Sequence, residues 1–512
     1  MALDGVDLFA FLAFLGIVVS VSLYASRREE TAADYFLAGR NLPWWLIGIS
    51  LIASNISSEH FIGMSGEGFQ TGLAIACFEW IAAIALVFVA LVLLPRFLRA
   101  GIYTLPEYLE YRYGPVPRVI MAAYLMTVYV VVGLAGILYA GSLALTSVFG
   151  LDLAAGVWTI GLLAGGYTIY GGLKAVVWSD MLQGAALLGG GAVLFFLSMN
   201  AVGGFGAFLS ANEERLHLIL PADHPTLPWT IYLMGIWVPN VAYWGLNQFI
   251  SQRALAARDL AEGQKGVLFA AFLKLLIPFL IVMPGIAAYQ LYASEIPVGD
   301  QAYPELMARL LPSGLRGVMF AALFGAVMSS LDSMLNSAST IFTLDIYSRH
   351  VVRKKLEPRT AIRIGRIATG VFVVIGCLLA PQLASVGGIH EYMQRVWNFI
   401  WPGILAVFLV GMVLPKTPPR AATAALLVSP VAYGLFTLVL DAYFDSQAYL
   451  NAAAGAFVLA SVLLVIWTRV RPLAEPRLLP QSGAVRLEPA PSARWAGAVV
   501  VGLTVGLYVV FW

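Results

Sequence analysis

The chain has 512 residues, of which 60% are apolar and 11% are Asp, Glu, Lys or Arg, against about 45–50% and about 25% in soluble domains. That excludes an ordinary soluble enzyme and indicates a chain with many membrane spans. The formal net charge of +2 comes without a long basic run, so composition gives no argument for nucleic acid or for a polybasic surface patch. Cys77 and Cys377 lie in apolar stretches, so neither a disulfide framework nor a cysteine metal site is expected.

The stretch from Asp7 to Ala25 follows acidic rather than basic residues and lacks a small-residue cleavage pattern, so it reads as a first span and not as a signal peptide. Apolar runs bounded by charge, Pro and Gly follow near 43–66, 72–95, 118–148, 152–170, 178–202, 229–249, 265–292, 317–346, 367–386, 391–413, 421–441, 447–467 and 494–512, which makes fourteen. With the amino terminus outside, 25 of the 30 Lys and Arg fall in inward loops, seven of them in 347–366. Outward loops keep only Arg215, Arg309 and Arg316, while Lys274 and Arg395 sit within or at the edge of spans. The positive-inside rule supports this orientation and puts both termini outside. The Pro- and Arg-rich segment 468–493 is expected to be a flexible link. Backbone in lipid must satisfy its own hydrogen bonds, so the predicted fold class is an all-α polytopic membrane protein.

Polar residues within spans are costly and therefore functional candidates. They cluster: Asn55, Ser57, Ser58, Glu59 and His60 in span 2, Glu79 in span 3, Asp180 entering span 6, Asn240 and Asn247 in span 7, Lys274 in span 8, Ser329, Ser330 and Asp332 in span 9, and Gln394 with Arg395 in span 11. Span 2 follows its polar run with Gly63, Gly66 and Gly68, and span 7 holds Pro239 and Gly245, so both are expected to be interrupted helices. Interrupted helices expose carbonyl and amide ends that bind ions and polar solutes at the bilayer midplane. Each opens a block of five spans, 43–202 and 229–413, and an odd number inverts the second block relative to the first. The expected domains are a first helix at 1–25, two inverted repeats at 43–202 and 229–413, and three further helices in 421–512.

The strings DYFLAGRNLPWW (34–45), SLIASNISSEHFIGMSG (50–66), YGGLKAVVWSD (170–180), YWGLNQFISQRALAA (243–257), AFLKLLIPF (271–279), SSLDSMLNSASTIFTLDIY (329–347) and PGILAVFLVG (402–411) resemble the sodium/solute symporter family, in its sodium/sugar (glucose and galactose) cotransporter branch. The resemblance spans nearly the whole chain. It implies fourteen helices with a five-plus-five inverted-repeat, LeuT-like core and Na⁺-driven uptake of a galactose- or glucose-like monosaccharide by alternating access.

By resemblance, Asn55, His60, Glu79, Asn240, Lys274 and Gln394 contact the sugar, Tyr243 with Trp244 beside it covers the ring as inner gate, and Met64 and Phe78 belong to the outer gate. Hydroxyls that donate and accept suit carboxylate, amide and ammonium groups, and an aromatic face suits the apolar ring surface. Read without the resemblance, Glu79 and Lys274 also fit a structural ion pair, Tyr243 and Trp244 fit interface packing, and His60 fits a structural role. The resemblance implies a coupling Na⁺ at Ala53, Ile56, Ala326, Ser329 and Ser330, through carbonyl and hydroxyl oxygens that suit a hard cation; the serines alone fit close helix packing better.

Asp332 departs from the branch, whose members carry a neutral residue there. Asp180 and Asp332 are expected to form a second cation site for Na⁺ or a proton; the alternative is that Asp332 only bonds neighbouring hydroxyls or stays protonated. Other readings are a symporter of the same fold for a polyol, amino acid or carboxylate, and a sugar- or Na⁺-gated channel or sensor. No His-rich metal motif, nucleophile elbow or phosphate loop suggests an enzyme. The expected partners are a small sugar and the lipid bilayer, without nucleic acid or an obligatory protein. The expected location is a plasma membrane, the bacterial inner membrane in view of the short loops.

Overall fold

The structure, a computed structural model, describes residues 4–26, 31–57, 60–149, 151–224, 227–354, 356–385, 389–443, 448–483 and 485–512. Among these the regular structure is helical, with isolated bridges at Leu42–Ala257, Leu220–Pro228 and Asp259–Arg486 in place of strands. In chain order the principal helices are α1 (Gly5–Ala25), α2 (Trp44–Asn55), α3 (Ser65–Gln70), α4 (Leu73–Ala100), α5 (Leu105–Tyr113), α6 (Pro115–Leu143), α7 (Leu153–Ala201), α8 (Trp237–Leu246), α9 (Gln248–Leu255), α10 (Leu260–Tyr292), α11 (Leu315–Val352), α12 (Pro358–Ala384), α13 (Ile389–Trp397), α14 (Trp401–Val413), α15 (Pro419–Val439), α16 (Tyr449–Val470) and α17 (Ala493–Val510). Ten of them, α1, α4, α6, α7, α10, α11, α12 and α15 to α17, are long and apolar enough to cross a bilayer. Exposed Phe9, Phe196, Leu438, Val470 and Val509 give the bundle an apolar outer surface, the surface a lipid solvent requires.

Three interruptions shape the interior. Helix α2 stops at Asn55, where Ile56 takes an extended backbone (φ −78°, ψ 105°), and the chain resumes through a π-helical turn at His60–Met64 into α3. Ser58 and Glu59 of the predicted polar run lie outside the described residues. Helices α8 and α9 part at Asn247 (φ −87°, ψ 118°), eight residues after Pro239, which sits in the first turn of α8 where a missing N–H costs little. Helices α13 and α14 part over 398–400.

The runs predicted as separate spans at 152–170 and 178–202 are the two helical arms of α7, which part at Gly172 (φ 50°, ψ −149°). A Cβ at Gly172 would stand 2.4 Å from the Tyr35 carbonyl oxygen, so glycine alone fits both the backbone and the space. The segment expected to be a flexible link is instead tied down. Leu473 and Arg477 donate backbone N–H groups to Lys416 and Pro415, Ser482 donates to Arg99, and the Arg486 carbonyl accepts from Leu260. Prolines lower the entropy that such a strap loses on docking.

At the opposite face, α1 is anchored by charge. Asp7 is buried and accepts from Arg316 and from the N–H groups of Gly314 and Gly317 at the start of α11. At the cation-rich face, Glu110 of α5 pairs with Arg118 of α6 and Arg349 of α11, and Arg118 also holds Asp345 at 2.6 Å. Burial acts to raise the Glu110 carboxyl, but the bonds from Arg349 and Arg118 outweigh it and hold the group below its ordinary 4.5. A lowered folded-state pKa contributes stability above the unfolded value and loses it as pH falls through the folded one. Hydrogen-exchange protection of α5 and the end of α11 should therefore drop as pH is taken below 4.5, and Glu110→Gln should show the reduced protection already at neutral pH. Equal protection in the variant at neutral pH would remove the latch as its cause.

Candidate functional site

The interruptions and two long helices enclose a cavity of about 180 Å³. Its wall includes Asn55, His60, Met64, Phe78, Glu79, Asn240, Tyr243, Trp244, Lys274 and Gln394, so all eight residues expected to contact substrate and both expected outer-gate residues meet at one space. Asn55 reaches it because α2 ends there, Glu79 from the first α-helical turn of α4, and Lys274 from the middle of α10.

Lys274 is fully buried and Glu79 nearly so. The Lys274 ammonium donates to the Glu79 carboxylate and to Asn55 Oδ1, and it lies 5.1 Å from the Trp244 ring centroid, within cation–π range. Asn55 Nδ2 donates to the Tyr243 hydroxyl at 3.1 Å, and His60 Nε2 stands 3.7 Å from Glu79 Oε1. One polar network therefore links α2, α4, α8 and α10. Asn240 donates to the Ile236 carbonyl at 2.9 Å. Tyr243 packs edge-on against both Trp244 and Phe249, and Phe249 meets Trp397 at 6.4 Å, so an aromatic wall closes one side.

The residues expected at the coupling ion lie where α2 breaks against α11. Ala53, Ile56, Ala326, Ser329 and Ser330 are all buried. The last carbonyls of α2 lack a continuing helix to bond them, and Ser330 Oγ donates to the Ser54 carbonyl at 3.3 Å across the two helices. Ser329 Oγ turns instead to Asp180 at 2.5 Å. Neutral carbonyl and hydroxyl oxygens dominate, the donor set that a monovalent hard cation uses.

Among the described residues, no side chain donates to both Asp180 and Asp332. Asp180 accepts from Ser50 at 2.5 Å, Ser54 at 3.0 Å, Ser329 at 2.5 Å and Arg253 at 3.0 Å, an ion pair with both members fully buried. Arg253 also donates to Ser50 and Ser333. Asp332 accepts from the hydroxyls of Tyr167 and, at 2.9 Å, Thr168, which precede the Gly172 break in α7, whereas Asp180 follows it. Of the two carboxylates expected at a second cation site, Asp180 is ion-paired and Asp332 is held by hydroxyls.

Phe249, Trp397, Asn398, Trp401 and Tyr449 also line the cavity and were not singled out from the sequence. Aromatic residues in apolar runs look alike whether they face lipid or a cavity, and the only available signal was Asn398 between tryptophans four residues apart. Tyr129 was missed likewise: its hydroxyl donates to Asn247 Oδ1 at 2.5 Å and accepts from the Gln248 N–H at 2.9 Å, bracing the α8–α9 break.

A profile of the "Sodium:solute symporter family" matches residues 35–429. The "Sodium/glucose cotransporter" of Vibrio parahaemolyticus is 42% identical over 465 residues, covering 85% of this chain and 85% of its own. The "Uncharacterized symporter YidK" of Escherichia coli (strain K12) is 31% identical over 99% of this chain and 91% of its own. The substrate-bound, outward-open structure of a Na⁺-coupled sialic acid symporter superposes with a TM-score of 0.82 at 22% identity, covering 92% of this chain and 99% of that one, a likeness of fold. The protein is accordingly a transporter and not an enzyme, Na⁺ is its coupling ion, and its place is an integral membrane one, the bacterial relative pointing to the inner membrane. The oxygen-rich break in α2, the paired charges of the cavity and these matches have one common reading: the chain belongs to the sodium:solute symporter family.

Proposed function

We propose that the protein couples inward Na⁺ movement to uptake of a neutral monosaccharide of the galactose or glucose type by alternating access. The observation that carries this reading is the cavity itself, where carboxylate, ammonium, amide and imidazole groups face one space beside the Tyr243 ring. In the proposed roles, Asn55, His60, Glu79, Asn240, Lys274 and Gln394 bond the hydroxyls, Tyr243 with Trp244 closes the inner side, and Met64 and Phe78 close the outer side. Na⁺ takes oxygens of Ala53, Ile56, Ala326, Ser329 and Ser330. An ion held between α2 and α11 couples to sugar only by binding one state of the transporter more tightly than the other. The second cation is proposed at Asp180, with Asp332 as its competitor for that role.

The proposed architecture is fourteen helices with repeats at 43–202 and 229–413, flanked by a helix in 1–25 and three in 421–512, both termini outside. Counting α7 as two spans, and α2–α3, α8–α9 and α13–α14 as one each, brings the ten long helices to that number. The sugar assignment draws on the name of the Vibrio relative.

Proteoliposomes with an imposed Na⁺ gradient test the proposal. Galactose or glucose should accumulate above its outside concentration and leak back when an ionophore collapses the gradient. Equilibration without accumulation would make the protein a channel or sensor. Accumulation of only inositol, amino acids or carboxylates would overturn the sugar assignment.

A further inference from the structure

One side of α16 faces out from the bundle. Leu459, Val462, Ile466, Trp467 and Val470 recur there at helical spacing and, with Arg471, line a shallow groove of about 570 Å³. Leu459, Val462, Ile466 and Val470 are 40–70% exposed. At the α-helical rise, Leu459 and Val470 stand about 16 Å apart along the axis, roughly half of a bilayer's hydrocarbon core. The groove is therefore as deep as one leaflet, and Trp467 sits near its charged end, where an indole suits the headgroup level.

Four cations gather at that end. Arg469 finishes α16 and Arg471 follows it, and Lys416 and Arg420 lie at the start of α15. The Leu473 N–H donates to the Lys416 carbonyl at 2.9 Å, and the Thr468 hydroxyl donates to that of Thr417 at 3.0 Å, which hold the two segments together. Arg477 donates to the Glu110 carbonyl, so this is the cation-rich face. All four cations are exposed, and Glu475 is the one acidic residue in 449–480.

A second copy of the chain fits this face poorly. Pairing α16 with itself in parallel would set Arg471 against Arg471, and helices in lipid close on small residues, whereas this face carries Leu, Val, Ile and Trp. A soluble anion would use the cations and leave the groove bare. A zwitterionic lipid would fill the groove without answering the excess positive charge. We propose that the α16 groove and the Lys416, Arg420, Arg469 and Arg471 cluster form a site for an anionic phospholipid of the leaflet on the cation-rich side. Its acyl chain lies along Leu459 to Val470, and its phosphate meets the Arg471 guanidinium, whose paired N–H groups match two phosphate oxygens. The site does not depend on which solute is carried.

Native mass spectrometry of the full-length protein, titrated in detergent with dioleoyl phosphatidylglycerol or dioleoyl phosphatidylethanolamine, tests the site. Phosphatidylglycerol should half-saturate its first position at about a tenfold lower concentration than the zwitterionic lipid. Arg420→Gln with Arg471→Gln should remove most of that preference. Val462→Trp fills the middle of the groove with every cation kept, and it should weaken phosphatidylglycerol binding about as much. Arg363→Gln, an exposed cation near the start of α12, should leave binding as in the parent. Equal retention of the two lipids overturns the site. Loss of the preference with Arg363→Gln, or its survival in Val462→Trp, also overturns it, since the attraction then belongs to the charged face at large. Displacement of the lipid by equimolar glycerol phosphate would make it a free-anion site, and dimers that form as lipid is removed would give the groove to a second copy; each overturns the proposal.

Discussion

Replacing Lys274 by methionine is expected to destabilise the protein by about 3–5 kcal/mol, a large share of the roughly 5–15 kcal/mol that holds a domain folded. Lys274 is fully buried and donates to both Glu79 and Asn55. Without it, the buried Glu79 carboxylate keeps only the His60 ring, 3.7 Å away, beside it, and Asn55 loses the group that fixes its carbonyl end. Glu79→Gln creates the mirrored fault, an ammonium without its anion. The double variant removes both charges together and should recover much of the stability while remaining unable to take up sugar. Thermal melting in detergent reads the first effect and Na⁺-driven uptake the second. Single variants as stable as the parent would mean that the pair does not hold the fold, and uptake equal to the parent's would remove it from the site.

The two carboxylates on the cation side should separate in a sodium titration. Asp180→Asn is expected to raise the half-saturating Na⁺ concentration by about tenfold, about 1.4 kcal/mol, because Ser329 and Ser54 both donate to that carboxylate and lie at the proposed ion. The same change leaves the buried Arg253 guanidinium without its anion. Asp332→Ala strands the hydroxyls of Tyr167 and Thr168, which should cost about 1–3 kcal/mol of stability, while the steepness of the Na⁺ curve stays as in the parent. Loss of steepness with Asp332→Ala and an unchanged curve with Asp180→Asn would transfer the second cation to Asp332.

Much of the cavity was legible because charge is so rare in this chain. Glu79 and Lys274 stand out in apolar runs, and a membrane interior leaves such groups only each other or a substrate to face. The same argument does not by itself assign partners to Asp180 and Asp332. Sequence spacing puts Asp332 three residues after Ser329, nearly one turn along α11, and that is too coarse to say which side chains of α7 its carboxylate meets. Arg253, counted at first among the loop cations, is buried on α9 and pairs with Asp180, because the break at Asn247 redirects the chain that follows it.

The sequence by itself determined the solvent and the helical class, and it supplies the orientation proposed above. Each depends on local composition: run length against bilayer thickness, obligatory internal hydrogen bonds, and the side on which cations lie. It also marked where helices would be interrupted, through Gly, Pro and clustered polar residues. Only the tertiary structure decided which carboxylate meets which cation, that Leu473, Arg477, Ser482 and Arg486 are hydrogen-bonded to residues far back in the chain, and that Trp397, Asn398 and Trp401 line the cavity. Those outcomes depend on contacts between residues far apart in the chain, and an apolar periodicity that serves lipid, core and cavity walls alike does not distinguish them.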